Sequence, residues 1–454
     1  MPAALQPHDR LLTGASAAQA IDRMTMDHLS QAISDSRLGR LGFAFVLALM
    51  FYSCAHVYIY GTRLNEPPEE LPHLTYLQEI ANEGRTIPDY RASKIIRDGR
   101  GNYMGHPPLY YSIGGLVGRA LDWDAERDYR KFREISALMV SMGVLFWALI
   151  ALRLGFPPLW AAVLVGASAA VPMLPYLAGS INNDSLAYLA VAVFVYGLVM
   201  IDPSRPSRLA YAIACTGMAV GLLTKGTVGL FLAAFACAWL LLEGARGRNH
   251  LKKPAFFVPA GVAIALVASY YLYALFAYGS FFPKTAALYA NRPPPESHYD
   301  FAHFVWRFVV IIVKRLPVIL AHKSLEPLKD SFKYIFYLML LMPVLNVVVA
   351  RLIARKAFGP LTSTQLAFGL ALLITVLAHL AYTWQAHVSH GAMAGLQPRY
   401  YSFLVPAVFL FAFAGARPHL TRALFFVFAC CAVILVTSIP NLATREHIQR
   451  YERR

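Results

Sequence analysis

LGFAFVLALMFYSCAHVYIYG, residues 41–61, contains no Asp, Glu, Lys or Arg. About 20 apolar residues in a helix cross the roughly 30 Å hydrocarbon core of a bilayer. This stretch is therefore read as a membrane span, and its repetition along the chain decides the fold class. Upstream, residues 1–37 are polar, mix acids with bases and lack an apolar core. They do not read as a cleavable signal, so the first run is taken as an uncleaved anchor. Downstream lie Pro68-Glu69-Glu70-Leu71-Pro72-His73-Leu74-Thr75-Tyr76 and, some thirty residues later, Gly105-His106-Pro107-Pro108-Leu109-Tyr110-Tyr111. Carboxylates are costly beside hydrocarbon, so a pair kept at the end of a span points to chemistry.

Composition supports the same class. The 454 residues are 57% hydrophobic and only 15% charged, with a mean hydropathy of +0.49. Soluble domains carry roughly 25% charged residues. The formal charge of +16 would suit nucleic acid, but the basic residues fall mostly between apolar runs. That placement reads as membrane topology and lipid-phosphate contact, with no nucleic-acid partner. The five cysteines (Cys54, Cys215, Cys237, Cys430 and Cys431) lie within apolar runs and lack metal-ligand spacing; they read as packing residues.

Eleven apolar runs suit spanning helices, near 41–61, 133–152, 158–178, 186–201, 209–224, 227–243, 255–277, 333–350, 363–383, 400–416 and 421–438. Short basic loops occupy alternate connections: Arg153, Arg205 with Arg208, Arg246 to Lys253, Arg351 to Lys356, and Arg417 with Arg422. The positive-inside rule assigns these loops to the cytoplasm, giving a cytoplasmic N-terminus and eleven spans. The arginine-rich tail from Ala443 to Arg454 is at odds with an outer C-terminus. The expected organisation is an all-α polytopic protein: a cytoplasmic segment 1–40, a transmembrane domain 41–440 and a tail 441–454. Two long loops face outward, 62–131 and 279–331. The first contains a helical stretch at 69–83 and a short apolar-aromatic one at 106–121 that lies along the interface. The second carries an amphipathic run from Phe301 to Leu320.

Several residue groups carry candidate chemistry. Glu69 and Glu70 point about 100° apart on a helix, so they do not form one carboxylate dyad. One can face a cavity while the other favours the helix N-terminus. His73 and Tyr76 follow one turn on, which sets a carboxylate, an imidazole and a phenol on one surface. Such a surface suits a polyhydroxyl substrate and removal of a hydroxyl proton. A second acid, Asp184, stands in Asn182-Asn183-Asp184-Ser185, where it reads equally as an N-cap and as a site residue. Lys225 in Leu223-Thr224-Lys225-Gly226-Thr227 either holds a phosphate or snorkels; Walker spacing is absent. His106, with Arg399 in Gln397-Pro398-Arg399-Tyr400-Tyr401, completes the outer cations. His387 and His390 share a spacing of three without an obvious third ligand, so no metal site is assigned.

In this order the motifs resemble those of the GT-C superfamily of polyprenyl-phosphate-dependent glycosyltransferases, which includes protein O-mannosyltransferases and the aminoarabinose transferases of lipid A. Pro68-Glu69-Glu70-x-x-His73 looks like the family's Pro-Asp-Glu motif, and Gly105 to Tyr111 like its Pro-Pro-Leu-Tyr-Tyr element. Asn183-Asp184 is similar to the second-loop acid, Leu222 to Thr227 to a Leu-Thr-Lys-Gly stretch, and Arg399-Tyr400 to a late Arg-Tyr. Two departures stand out. Glu69 replaces the usual aspartate, which leaves Glu70 and Glu66 as alternative bases, and His106 stands where some relatives carry lysine.

The resemblance implies two juxtamembrane helices in the first outer loop and an active site facing the periplasm of a bacterial inner (plasma) membrane. It implies transfer, with inversion, from a polyprenyl-phosphate-linked sugar to a hydroxyl of a glycan, lipid or protein acceptor. Glu69 would be the base, with Asp184 orienting a sugar. His106, Lys225, Arg399 and Arg315 would face the phosphate. His73, Tyr76, Tyr110, Tyr111 and Tyr400 would line the substrate. A divalent ion such as Mg²⁺ or Mn²⁺ bridging carboxylate and phosphate is compatible with this chemistry but not required. The competing classes are a lipid-linked glycan polymerase or ligase, and a transporter or flippase that binds lipid without chemistry.

Overall fold

The computed structural model describes residues 33, 36–64, 70–91, 105–171, 173–202, 207–244, 249–283, 299–316, 330–353, 362–390, 393, 395–414 and 422–437. Glu66, Glu69, the 441–454 tail and most of the 1–40 segment lie outside the described residues. Every regular element among the described residues is helical. In chain order these are α1 (Arg37–Gly61), α2 (Glu70–Glu83), α3 (Leu109–Ala120), α4 (Tyr129–Arg153), α5 (Pro158–Gly166), α6 (Met173–Ala178), α7 (Asp184–Met200) and α8 (Arg208–Leu222). They continue with α9 (Gly226–Leu242), α10 (Pro254–Tyr278), α11 (Phe301–Arg315), α12 (Asp330–Ile353), α13 (Ser363–His390), α14 (Val405–Phe413) and α15 (Arg422–Thr437). A 3-10 turn, Pro398–Leu404, leads into α14.

All eleven apolar runs fall on helices, and four of them (α1, α4, α10 and α13) are long and apolar enough to cross a membrane. Large apolar side chains cover much of the outside; Phe276 and Leu241 are 82% and 79% exposed. Water would not tolerate so much exposed apolar surface, and lipid does. The run expected at 158–178 is not one helix: it breaks after Gly166 into a 3-10 turn, Ala167–Ala170, before α6. Pro175, in the first turn of α6, lacks an amide hydrogen. The run at 400–416 likewise opens as 3-10 before turning α-helical.

Local signals explain several ends. The Ser36 hydroxyl accepts from the Gly39 amide at 2.7 Å and starts α1. The Asp300 carboxylate does the same for the His303 amide at 2.8 Å, while Lys314 and Arg315 close α11 at its negative end. The bundle core packs α4 between α1 and α7, and α7 against α8. The last contact is close because it is built on glycine. A Cβ on Gly197 would come within 2.3 Å of the Ala214 amide, and one on Gly217 within 2.4 Å of the Phe194 amide. The loop after α1 forms the expected pair of short helices. Gly114 and Gly115 on α3 admit Leu77 and Ile80 of α2, and the pair docks on α4 through Phe132.

Antiparallel connectivity gathers the end of α1, the starts of α4 and α7, the α8–α9 turn and the 3-10 turn at one end of the bundle. At the opposite end, Arg153 Nε donates to the Val199 carbonyl at 2.7 Å.

Candidate functional site

Glu70 opens α2 and is fully buried, as is Arg133 in the second turn of α4. Arg133 donates from Nε and Nη2 to the two Glu70 oxygens, each at 2.7 Å. Its Nη1 reaches the Ile59 and Thr62 carbonyls at 2.9 and 2.8 Å, and Nη2 the Arg63 carbonyl at 2.8 Å. The Ile181 amide donates to Glu70 Oε1 at 3.0 Å. The Arg133 guanidinium thus ties α1, α2 and α4 together, in the bidentate geometry that suits arginine, and Glu70 adds the loop before α7. Both Glu70 oxygens are bonded to this buried cation, which opposes uptake of a proton by Glu70. The arrangement also puts the two acidic loops at the same end of the bundle, as a shared site requires.

Asp184 was open to reading as a helix cap. No side-chain cap bond forms at the start of α7; the Asp184 carboxylate instead makes a buried ion pair with Lys225. Neighbouring side chains fix the geometry. Asn183 Nδ2 donates to the Thr224 carbonyl at 3.2 Å, and the Leu109 amide to the Leu223 carbonyl at 3.0 Å. Lys225 Nζ stands 5.0 Å from the centre of the Tyr400 ring, with Arg399 Cζ at 5.6 Å from the same ring. Asp184, Lys225, Arg399 and Tyr400 therefore converge from three segments far apart in sequence. The cations on the Tyr400 ring supply cation–π attraction in addition to the ion pair.

His73 packs beside this group. It shares a 2.7 Å hydrogen bond with the Tyr111 hydroxyl and stacks on that ring. Burial, then the charges of His106, Arg399 and Lys225, hold His73 well below the usual imidazole range. The unfolded chain takes up this proton near pH 6.5, whereas the folded one does so only at distinctly lower pH. The His73 contribution to stability is therefore present above pH 6.5 and lost as pH falls below it. Thermal unfolding followed from pH 7.5 to 5.5 is expected to show that loss, at no more than about 1.4 kcal/mol per pH unit. A His73→Gln chain should lack that component.

The aromatic residues expected to face the sugar are packed against one another and against α4. Tyr76, Tyr110 and Tyr111 are buried. Tyr76 stacks on Tyr111 with ring centres 3.9 Å apart, and its hydroxyl meets that of Tyr90 at 3.0 Å and the His106 carbonyl at 3.3 Å. The Tyr110 hydroxyl meets the Ser136 hydroxyl at 2.8 Å. These rings pack the first loop onto α4 and hold the His106 backbone. Burial first, and for Tyr76 the neighbouring Tyr270 next, pushes the phenols of Tyr76 and Tyr110 up, and both stay neutral.

Arg315 donates from Nη1 to the Leu396 carbonyl at 2.8 Å, three residues before Arg399. No described contact joins it to Asp184 or Lys225, so the arrangement makes it a brace for that segment. His379 braces the same segment from α13, pairing with the Tyr401 hydroxyl at 2.6 Å and the Gly395 carbonyl at 3.0 Å. His387 Nε2 accepts from the Tyr299 amide at 2.9 Å inside an aromatic box. A divalent ion does not fit the described site residues. Asp184 is already compensated by Lys225 beside Arg399, and no three His, Cys, Asp or Glu side chains converge among the described residues. Sequence reading missed Arg133, Ser136 and His379. Arg133 stands at the charged flank of the 133–152 run, beside Arg130, Lys131 and Glu134, so nothing local singled it out.

No protein-family model and no curated protein matches the chain. Two solved structures resemble it, both of ArnT from Cupriavidus metallidurans. The form bound to undecaprenyl phosphate is 16% identical with a TM-score of 0.47, covering 83% of this chain and 60% of that one. The apo form is 15% identical with a TM-score of 0.38, covering 86% of this chain and 76% of that one. This chain thus spans about 60% of the length of the first of these proteins.

Proposed function

We propose that this chain is an integral membrane glycosyltransferase that moves a sugar from a polyprenyl-phosphate donor to an acceptor hydroxyl. The observation that supports it is the buried Asp184–Lys225 pair with Arg399 and Tyr400, set beside the His73–Tyr111 contact at one end of an apolar bundle. Two strong cations, Lys225 and Arg399, gathered at one aromatic ring are the groups that would face an anionic donor. Transfer between a lipid-borne phosphate and a hydroxyl needs that charge and a base close by.

In the proposed reaction the acceptor hydroxyl gives its proton to Glu69 as its oxygen bonds to the anomeric carbon. The bond from that carbon to the phosphate oxygen breaks, and its electron pair leaves with polyprenyl phosphate. Displacement from the opposite side inverts the anomeric centre. Lys225 and Arg399, with His106 near them, meet the charge developing on the departing phosphate. In a water-poor cleft such stabilisation exceeds its value in solution. Asp184 holds the Lys225 ammonium in place and orients the sugar. The eleven helical runs cross the membrane with the N-terminus in the cytoplasm. The reaction end then faces the periplasm of a bacterial inner membrane, following the alternation of basic loops.

The test supplies purified chain in lipid with a panel of polyprenyl-phosphate sugars and acceptors, and measures release of polyprenyl phosphate. Turnover on a monophosphate donor is the expected result. Activity only on diphosphate-linked donors would favour a polymerase or ligase. Movement of the lipid across the bilayer with every glycosidic bond intact would remove the enzyme reading.

A further inference from the structure

The turn that presents Lys225 is tied at three consecutive carbonyls by three different elements. The last carbonyls of a helix have no partner inside it, and α8 ends at Leu222. The Leu223 carbonyl accepts from the Leu109 amide at the start of α3, at 3.0 Å. The Thr224 carbonyl accepts from Asn183 Nδ2, next to the start of α7, at 3.2 Å. The third tie comes from α10: the Tyr271 hydroxyl donates to the Leu222 carbonyl at 2.8 Å. Lys225 follows directly in extended backbone, with φ −157° and ψ 129°, so the seating of this turn sets where its side chain starts.

The first two ties come from segments that carry site residues of their own. The third does not. Along α10 only Tyr270 and Ala274 are buried, and most of the helix faces outward. Its end nearest the site nonetheless packs on the same turn. A Cβ on Gly226 would meet the Phe282 ring at 3.5 Å, and the Tyr271 and Phe282 rings stand 5.7 Å apart, edge to face. The segment after α10 also lies against the His106 loop, where a Cβ on Gly105 would come within 2.9 Å of the Pro283 carbonyl. Two ties leave a turn an axis to rotate about, and a third removes it.

We infer that Tyr271 is a positioning residue for Lys225. Its hydroxyl stops the Leu222–Lys225 turn from rocking about the Leu109 and Asn183 ties, which keeps the ammonium on Asp184 and over the Tyr400 ring. The part this plays in transfer rests on the glycosyltransferase reading; the seating of the ammonium does not.

Tyr271→Phe removes the hydroxyl and keeps the ring, and two measurements on the full chain in nanodiscs read the result. Acetylation of Lys225 by acetic anhydride, followed by peptide mass spectrometry, needs no substrate. An ammonium released from its carboxylate gives up its proton more readily. Lys225 should therefore acetylate about threefold to tenfold faster in the variant, the worth of one hydrogen bond, with the exposed Lys252 unchanged as reference. In the transfer assay kcat should fall by a similar factor while the donor KM stays within about twofold, because a displaced cation costs most where charge develops. Unchanged acetylation of Lys225 would overturn the assignment. So would a rise shared by Lys252, which marks general loosening, and so would an unchanged kcat in an active chain. Faster acetylation of Lys225 alone, in a chain whose wild type releases no polyprenyl phosphate, would uphold the seating role and remove the transferase reading.

Discussion

Arg133→Met is expected to lower the stability of the folded chain by about 3–5 kcal/mol, the range for removing one partner of a buried ion pair. Methionine fills much of the arginine volume, so the loss comes from charge and not from a cavity. The variant leaves Glu70 fully enclosed without its cation, and also orphans carbonyls at Ile59, Thr62 and Arg63. Unfolding in detergent, followed by loss of helicity or by scanning fluorimetry, measures the change. The double variant Glu70→Leu with Arg133→Met removes both charges and should recover a large part of the loss. If the single variant melts with the wild type, the pair contributes little and the first loop is held by its aromatic packing alone.

Glu69→Gln is expected to reduce turnover by about 10²–10⁴-fold while donor affinity stays within roughly twofold. Glutamine keeps the shape of glutamate and cannot accept the acceptor's proton, and a positioned base contributes that range. The Arg133 guanidinium on both Glu70 oxygens opposes protonation there, so Glu70 is expected to be a poor replacement. Single-turnover measurement of polyprenyl phosphate release, with donor binding measured separately, checks both halves. Transfer at the wild-type rate would move the base to Asp184. In that case Asp184→Asn should carry the loss, and the loss should persist when Lys225 is changed as well. A fall in donor affinity without a fall in turnover would make Glu69 a binding residue.

The helices were legible because their signal is local. Apolar runs long enough to span are visible without tertiary information, and each fell on a helix. So did the short pair in the loop after α1, marked by the prolines and acids around residue 70 and by the aromatic segment after residue 106. The broken run at 158–178 was overcalled because hydropathy registers side chains and not the missing amides of proline. In the site, Asp184, Lys225, Arg399 and Tyr400 stood out as polar residues at the ends of apolar runs, and they meet. Their pairing was not readable, since Asp184 and Lys225 are 41 residues apart. The fate of Glu70 depended on Arg133, 63 residues later, at a position where a basic residue reads as the flank of a span. That Tyr110 and Tyr111 are enclosed was not readable, because aromatic content is visible in a sequence and burial is not.

The guanidinium hub has a consequence for biogenesis. Glu70 bonds to Ile181 across 111 residues of chain. At about 5–20 residues per second that length takes roughly 6–22 s to synthesise. Over that interval the Glu70 carboxylate can meet Arg133, 63 residues later, but not the Ile181 amide that completes its enclosure. Closure of this end of the protein therefore waits on the ribosome reaching the hairpin between α6 and α7, whatever the speed of the individual helices.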